Sequence, residues 1–242
     1  MELIITAVAG VSILIGAFAT KLMHDTEKME HLSMAAALGA LVALLAFDLL
    51  PEVKELIEGQ GIMYGIGMVL VGAGMLKVLD LFIPAHHDSE ETHDHENAAH
   101  IGIISAMAVI LHNVVEGMSV YSLAMTSISG GVAFAIGIAM HNIPMGMLID
   151  STMEERKKSE RYVLLATVTL STLFGGILMN VISEYLTAVL TQTLVGIASG
   201  MILFIVIAEL LPHVFRTKYH INLSLASIAA GFILVFISSH VA

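Results

Sequence analysis

Three observations predict an all-α, polytopic membrane protein with eight transmembrane helices. The 242-residue chain is 57% hydrophobic, with a mean hydropathy of +0.89. Only 13% of its residues are charged, about half the share usual in soluble domains. Its apolar stretches recur at lengths near the ~20 residues that a helix needs to cross the hydrocarbon core. The same figures exclude a water-soluble helical bundle. Cysteine is absent, which rules out disulfides, thiol redox pairs and thiolate metal sites and leaves Met and His as the soft ligands.

The apolar segments run 2–22, 32–50, 61–83, 101–125, 129–150, 161–183, 193–213 and 221–240, all within one transmembrane domain over 1–242. The first opens MELIITAVAG, with an acid where a secretory leader wants basic residues, so it reads as a retained helix. The third carries Gly61, Gly65, Gly67, Gly72 and Gly74, and Gly61 and Gly65 stand in the small-xxx-small spacing that lets helices approach closely. Only a few polar residues join the fourth and fifth segments, with a boundary near Gly130-Gly131. Between the third and fourth lies a His-rich loop over 84–100, whose stretch HHDSEETHDHENAAH (86–100) holds five His and five acidic residues. Such a composition predicts a solvated segment, unfolded without metal and able to bind several ions weakly.

Basic residues set the orientation. Lys21, Lys28, Lys77, Arg156, Lys157, Lys158, Arg161, Arg216 and Lys218 fall on one side, and Lys54 is alone on the other, out of ten Lys and Arg in total. That bias predicts both termini outside the cell membrane, with the His-rich loop in the cytoplasm. Much of the formal net charge of −11 sits in that loop and basic residues are few, which argues against nucleic acid as a partner.

An internal echo is present as well. The second segment ends FDLLPE (47–52) and the seventh ends AELLPH (208–213). The two segments cross in opposite directions, so matching motifs end at opposite faces, as an inverted repeat requires.

The chemistry concentrates in the fourth and fifth segments. His112 and Glu116 are four residues apart and share one helix face, and His141 and Met145 repeat the spacing. A carboxylate near mid-span costs about 2.5–3.5 kcal/mol or more on insertion scales. A divalent cation held between Glu116, His112 and His141 offsets that cost, and imidazole nitrogen with carboxylate oxygen suits Zn²⁺, Fe²⁺ or Mn²⁺. Pro144 leaves the Met140 carbonyl without its helical donor, which favours a kink there. Asn113 and Asn142 each follow a His by one residue, and serve either as amide ligands or as interhelical hydrogen bonders. Met145 is either a thioether ligand that softens the site toward Cu(I), Cd²⁺ or Zn²⁺, or one of sixteen Met residues filling the interior.

HNVVEG (112–117) and HNIPMG (141–146), set in eight segments with outside termini and a His-rich loop between the third and fourth, resemble the ZIP (Zrt/Irt-like protein) family of divalent metal transporters. The resemblance covers essentially the whole chain. It implies a three-plus-two-plus-three helix arrangement, often dimeric, and uptake of a divalent metal, Zn²⁺ foremost, into the cytoplasm. It implies His112, Glu116 and His141 as ligands of a first ion, and places Asn113 and Asn142 at positions of a second. Two departures stand out. Met145 replaces the family's common Glu or His, and LFGGIL (173–178) offers Gly175 and Gly176 where a carboxylate often stands. Glu184 lies about two turns away, toward the membrane face. One well-formed site is therefore expected, rather than a two-metal centre.

Asp48 and Glu52 are placed near the outer mouth and Glu209 and His213 near the inner one, where acidic stations would concentrate and pass on cations. Iron, manganese, cadmium and copper remain alternative cargoes. A membrane metal sensor that reads out through the His-rich loop without flux is a different class. A metalloenzyme would want a His-Glu-x-x-His motif, and the sequence has none. No resident cofactor is expected; besides the transported divalent metal ions, the expected partners are membrane lipids and a second copy in a homodimer.

Overall fold

A computed structural model describes residues 1–22, 25–82, 93–154, 156–185, 187–216 and 221–241. Among these residues the chain is helical and has no strand. Eight helices are long and apolar enough to cross a membrane.

Helix α1 is Glu2–Thr20. Helix α2 runs Thr26–Leu44, passes through a π-helical turn at Leu45–Leu49 and continues as Leu50–Gln60. Helix α3 is Ile62–Phe82, α4 His93–Thr126, α5 Ile128–Thr152 and α6 Lys158–Ile182. Helix α7 runs Ala188–Phe204, then a π turn Ile205–Leu210, then Leu211–Arg216, and α8 is Ile221–Val241. Side-chain caps start several of them. Asp25 accepts from the Lys28 amide, Ser127 from that of Gly130 and Thr187 from that of Leu190, satisfying donors that a helix start leaves orphaned. Ser127 alone separates α4 from α5, so the two run antiparallel as neighbours.

Two boundaries differ most from the sequence-based expectation. Helix α2 continues ten residues past position 50 because Pro51 sits at the start of its last stretch, where a missing N–H does no harm. Helix α4 begins at His93, so 93–100 are its first turns and not loop; the apolar-window reading missed them because they are polar. The remainder of the expected His-rich loop, 84–92, lies outside the described residues, as does Lys218. Gly61 has φ +94° at the end of α2 and a Cβ there would meet nothing. It serves a turn conformation that glycine adopts readily, and not helix packing.

Close packing is instead carried by reciprocal glycines in four helix pairs. A Cβ at Gly16 of α1 would overlap the Ile143 carbonyl of α5, and one at Gly146 the Ile13 carbonyl. Gly117 of α4 and Gly175 of α6 face the Thr172 and Val114 carbonyls in the same way. Gly39 of α2 and Gly231 of α8 meet Ile228 and Ala36; Gly72 of α3 and Gly200 of α7 meet Ile197 and Val69. Exchanging α1, α2, α3 and α4 with α6, α7, α8 and α5 carries these pairs onto one another. Further contacts of α1 with α4 and α6, and of α4 with α5, join α1, α4, α5 and α6 into one group. Helices α2, α3, α7 and α8 form the other, and α2, α7 and α8 meet α4 or α5 across the seam. Ile13, Leu41, Leu148 and Ile202 are among the fully buried side chains of the interior. Phe18, Leu70, Phe174 and Ile233 remain exposed on the outside, the pattern of a lipid-facing surface.

The sequence echo reappears as structure. The π turns lie directly before Pro51 and Pro212, and the amides of Leu50 and Leu211 reach back five residues to the carbonyls of Leu45 and Val206. Proline denies the ladder one donor, and the helix absorbs the mismatch by widening a turn. Asp48 and Glu209 both sit in these widened turns. Helix α5, by contrast, continues through Pro144.

An ionic knot ties one end of the first group. Arg161 at the start of α6 contacts Asp150 of α5 and Glu154, and Asp150 also accepts from Thr20 of α1. Asp150 is buried, and Arg161 nearly so.

Candidate metal centre

Helices α4 and α5 bring His112, Glu116 and His141 together. The four-residue spacing aligns His112 and Glu116 on one face of α4, and the tight turn at Ser127 returns α5 so that His141 faces both. Glu116 Oε1 lies 3.0 Å from His112 Nε2 and 2.9 Å from His141 Nε2. The imidazole centroids are 5.8 Å apart with planes at 48°. Relative exposures are 4%, 9% and 5% for His112, Glu116 and His141.

These short contacts are not hydrogen bonds. His112 Nε2, His141 Nε2 and Glu116 Oε2 are buried and have no partner in hydrogen-bond geometry. Three buried polar atoms in this condition are costly unless another atom joins them. One ligand atom from each residue lies within 4.8 Å of the others. For metal–ligand bonds of about 2.0–2.2 Å, ligand atoms at right-angled to tetrahedral positions sit roughly 2.9–3.5 Å apart, and the two nitrogen–oxygen distances are at the short end of that range. The donor set fits a borderline divalent cation.

The three residues floor a cavity of about 430 Å³ that rises past Asp48 to Pro51 and Glu52. The far ends of α4 and α8 contribute Ser119, Ser238 and Ser239. Asp48 accepts a hydrogen bond from Ser239 Oγ at 3.0 Å, which aims its carboxylate into the cavity mouth. Glu52 is exposed at the rim.

Asn113 and Asn142 are fully buried and are not among the cavity-lining residues. Their amide nitrogens donate to Val168 O of α6 at 3.3 Å and to Ala9 O of α1 at 3.4 Å. They face the neighbouring helices rather than the cavity, because a step of one residue turns a helix by about 100°. Met145 is 3% exposed and belongs to the apolar interior with Ile13 and Leu148; it too is not among the lining residues. At Gly175 and Gly176 the backbones are so close that a Cβ would overlap the Val114 carbonyl of α4 or crowd Thr6 of α1. The space for a carboxylate from α6 is occupied by other helices. Glu184 lies exposed in the short turn Ser183–Tyr185 beyond α6.

Glu209 joins a different group, with Asp80 near the end of α3 and His100 near the start of α4. His213 belongs to neither group among the described residues. Asp80 and His100 were not singled out by sequence reasoning, since one is a lone acid at the end of an apolar span and the other closes a His-rich run. The available signal was a helix-terminal Asp paired three residues on from Lys77.

Residues 82–239 match the family described as ZIP zinc transporter. The chain is 25% identical to the zinc transporter ZupT of Akkermansia muciniphila over 257 residues, covering 97% of this chain and 94% of that one. It is 23% identical to the zinc transporter ZupT of Salmonella paratyphi A over 221 residues, covering 88% and 86%. A 36% identity over 145 residues relates it to protein zntB of Dictyostelium discoideum, covering 58% of this chain and 38% of that one. Together with eight membrane-length helices, these matches place it: the chain belongs to the ZIP zinc transporter family.

Proposed function

We propose that this multi-pass membrane protein carries a divalent cation, Zn²⁺ foremost, into the cytoplasm through the centre formed by His112, Glu116 and His141. The observation that carries the reading is the convergence of three buried ligand atoms, none hydrogen-bonded, at the floor of a cavity that opens to one face. The names of the ZupT relatives support zinc as the cargo.

Asp48 and Glu52 gather cations at the cavity mouth and hand them down to the centre. Partial dehydration is offset by two imidazoles and one carboxylate, which need no reorganisation to receive the ion. Asn113 and Asn142 anchor α4 to α6 and α5 to α1, which keeps the ligands on a rigid unit. Met145, buried in the apolar interior and away from the cavity lining, is not a ligand. Release requires the group α1, α4, α5 and α6 to shift against α2, α3, α7 and α8, so that the centre loses its path to one face and gains one to the other. Glu209 and His213 lie toward that second face and receive the ion.

The nine-to-one distribution of basic residues supports outside termini, and hence a cavity mouth on the outer side. Metal uptake into proteoliposomes tests the whole reading. Wild type is expected to take up Zn²⁺, and His112→Ala to fall to background. Normal uptake by His112→Ala removes the centre from the path, and binding without flux in wild type favours a sensor. Competition by Fe²⁺, Mn²⁺, Cd²⁺ and Cu⁺ ranks the cargoes.

A further inference from the structure

Positive charge is unevenly paired at the end of the molecule away from the cavity mouth. There Arg161 is held by Asp150 and Glu154, and Arg156 lies 3.1 Å from Glu160. Lys21 at the end of α1 and Lys157 and Lys158 at the start of α6 are exposed. Among the described residues these three lysines form no ion pair.

Tyr162 draws them into one group. Lys21 Nζ stands 5.9 Å from the centroid of its ring. Lys158 lies four residues before Tyr162, one turn away on the same face of α6. The tyrosine is 54% exposed, and such a ring settles at the border between headgroups and hydrocarbon. The surface that continues from here into the membrane is apolar. Helices α1 and α6 pack directly, and a Cβ at Gly10 would overlap the Thr169 carbonyl. Val11 and Phe18 on α1 and Val163, Leu170 and Phe174 on α6 remain exposed along this pair. Acyl chains cover a surface of that kind, and the cationic end above them is matched by a negative headgroup.

We propose that Lys21, Lys157 and Lys158, with Tyr162, bind the headgroup of an anionic phospholipid whose acyl chains lie along the α1–α6 pair. Lysine stems run over apolar surface while their ammonium groups reach the headgroup level. The phosphate oxygens accept hydrogen bonds from those ammonium groups, and the tyrosine ring holds Lys21 beside its face. Exposed lysines bind a free anion weakly. A lipid differs because the bilayer presents its charge at the same depth as theirs.

Placement on the molecule links the lipid to transport. Helices α1 and α6 belong to the group that carries the centre. When that group shifts against α2, α3, α7 and α8, a bound headgroup must be dragged along or released, so anionic lipid slows the shift. This consequence rests on the transport reading. The lipid site itself does not, and it holds whichever face is cytoplasmic.

Two measurements test it. The full chain is reconstituted in phosphatidylcholine bilayers with a trace of spin-labelled phosphatidylglycerol or spin-labelled phosphatidylcholine. Wild type is expected to prefer phosphatidylglycerol by about fivefold or more, the gain one lysine brings near an anionic surface. Salt at about 1 M should remove most of that preference. Lys21→Gln, Lys157→Gln and Lys158→Gln together should bring it close to one, with an unchanged melting temperature because all three side chains are exposed. Lys54→Gln, whose lysine pairs with Glu58 at the opposite end, should leave the preference intact. Equal preference in wild type and the triple variant would overturn the site. Displacement of the labelled lipid by millimolar inorganic phosphate would overturn it too, by reducing it to a site for free anions. In proteoliposomes containing phosphatidylglycerol, the triple variant is expected to take up tracer Zn²⁺ about twofold to fivefold faster than wild type. In phosphatidylcholine alone the two rates should match; attraction of Zn²⁺ to the anionic surface is common to both proteins and cancels. Matching rates in both lipids would sink the effect on transport. A wild type that prefers phosphatidylglycerol but moves no Zn²⁺ would overturn the transport reading and leave the lipid site standing.

Discussion

The two His-carboxylate clusters hold nearly the same groups at nearly the same spacing, and their surroundings differ. The central cluster is buried, with Glu116 between two imidazoles and no hydrogen bond to either Nε2 or to Glu116 Oε2. The Asp80 cluster is less deeply buried, already hydrogen-bonded through His100, and carries Lys77 against its carboxylate. Ligand type and distance would let either group hold a metal ion; burial and the neighbouring Lys77 charge set the two apart. The comparison also crosses the helix groups. The central ligands sit on α4 and α5 of a single group, whereas the second set comes from α3, α4 and α7 and straddles the seam.

The largest effect expected is at the centre. Glu116→Gln should weaken Zn²⁺ binding there by about 100-fold or more, beyond what loss of an outer hydrogen-bonding partner causes, while binding at the Asp80 cluster stays unchanged by dialysis. A loss at both would show that they are not separate sites. Next comes packing beside the centre. Gly175→Ala forces α6 off α4 and should cost about 1–3 kcal/mol, read as a lowered melting temperature in detergent. Gly74→Ala, where a Cβ meets nothing, should leave that temperature nearly unchanged. Equal shifts would mean that close approach at Gly175 does not exclude a side chain.

Smaller effects sharpen the contrast. Lys77→Ala removes the charge beside Asp80, and because Lys77 is largely exposed the gain in Zn²⁺ affinity at that cluster should be only about twofold to fivefold. No change is expected at the centre, and a gain there would contradict the separation of the two environments. Smallest is Met145→Leu, a volume-conserving change that should cost under about 1.5 kcal/mol and leave Zn²⁺ affinity intact. A tenfold loss would make the thioether a ligand after all.

The central triad was legible because its spacing is local. His112 and Glu116 need only one helix to align, and His141 needs only the short return at Ser127. The echo of FDLLPE in AELLPH was legible as words, but its consequence, a π turn before each proline, depends on how the freed backbone groups are satisfied. Asn113 and Asn142 show the limit. Position one after a His permits either a ligand or a helix anchor, and only the presence of the Val168 and Ala9 carbonyls beside them decides where their amides point. The glycines read as packing residues of the third segment divide for the same reason. A Cβ at Gly61, Gly67 or Gly74 would meet nothing and one at Gly65 would crowd the Ile57 side chain, whereas Gly72 meets a backbone because α7 passes there.

By itself the amino-acid order determined what one segment can settle alone: eight apolar lengths, the bias of basic residues between their ends, and a His-Glu pair one helical turn apart. These follow from hydrophobic thickness and the period of the helix, which are properties of a single stretch of chain. Tertiary structure decided everything that needs two stretches to meet. It fixed which glycines touch backbone, which face each Asn presents, that α6 leaves no room for a carboxylate, and that Asp80, His100 and Glu209 share one corner although 129 residues separate the first from the last. Contacts between distant segments depend on packing across the whole bundle, and no local period encodes them.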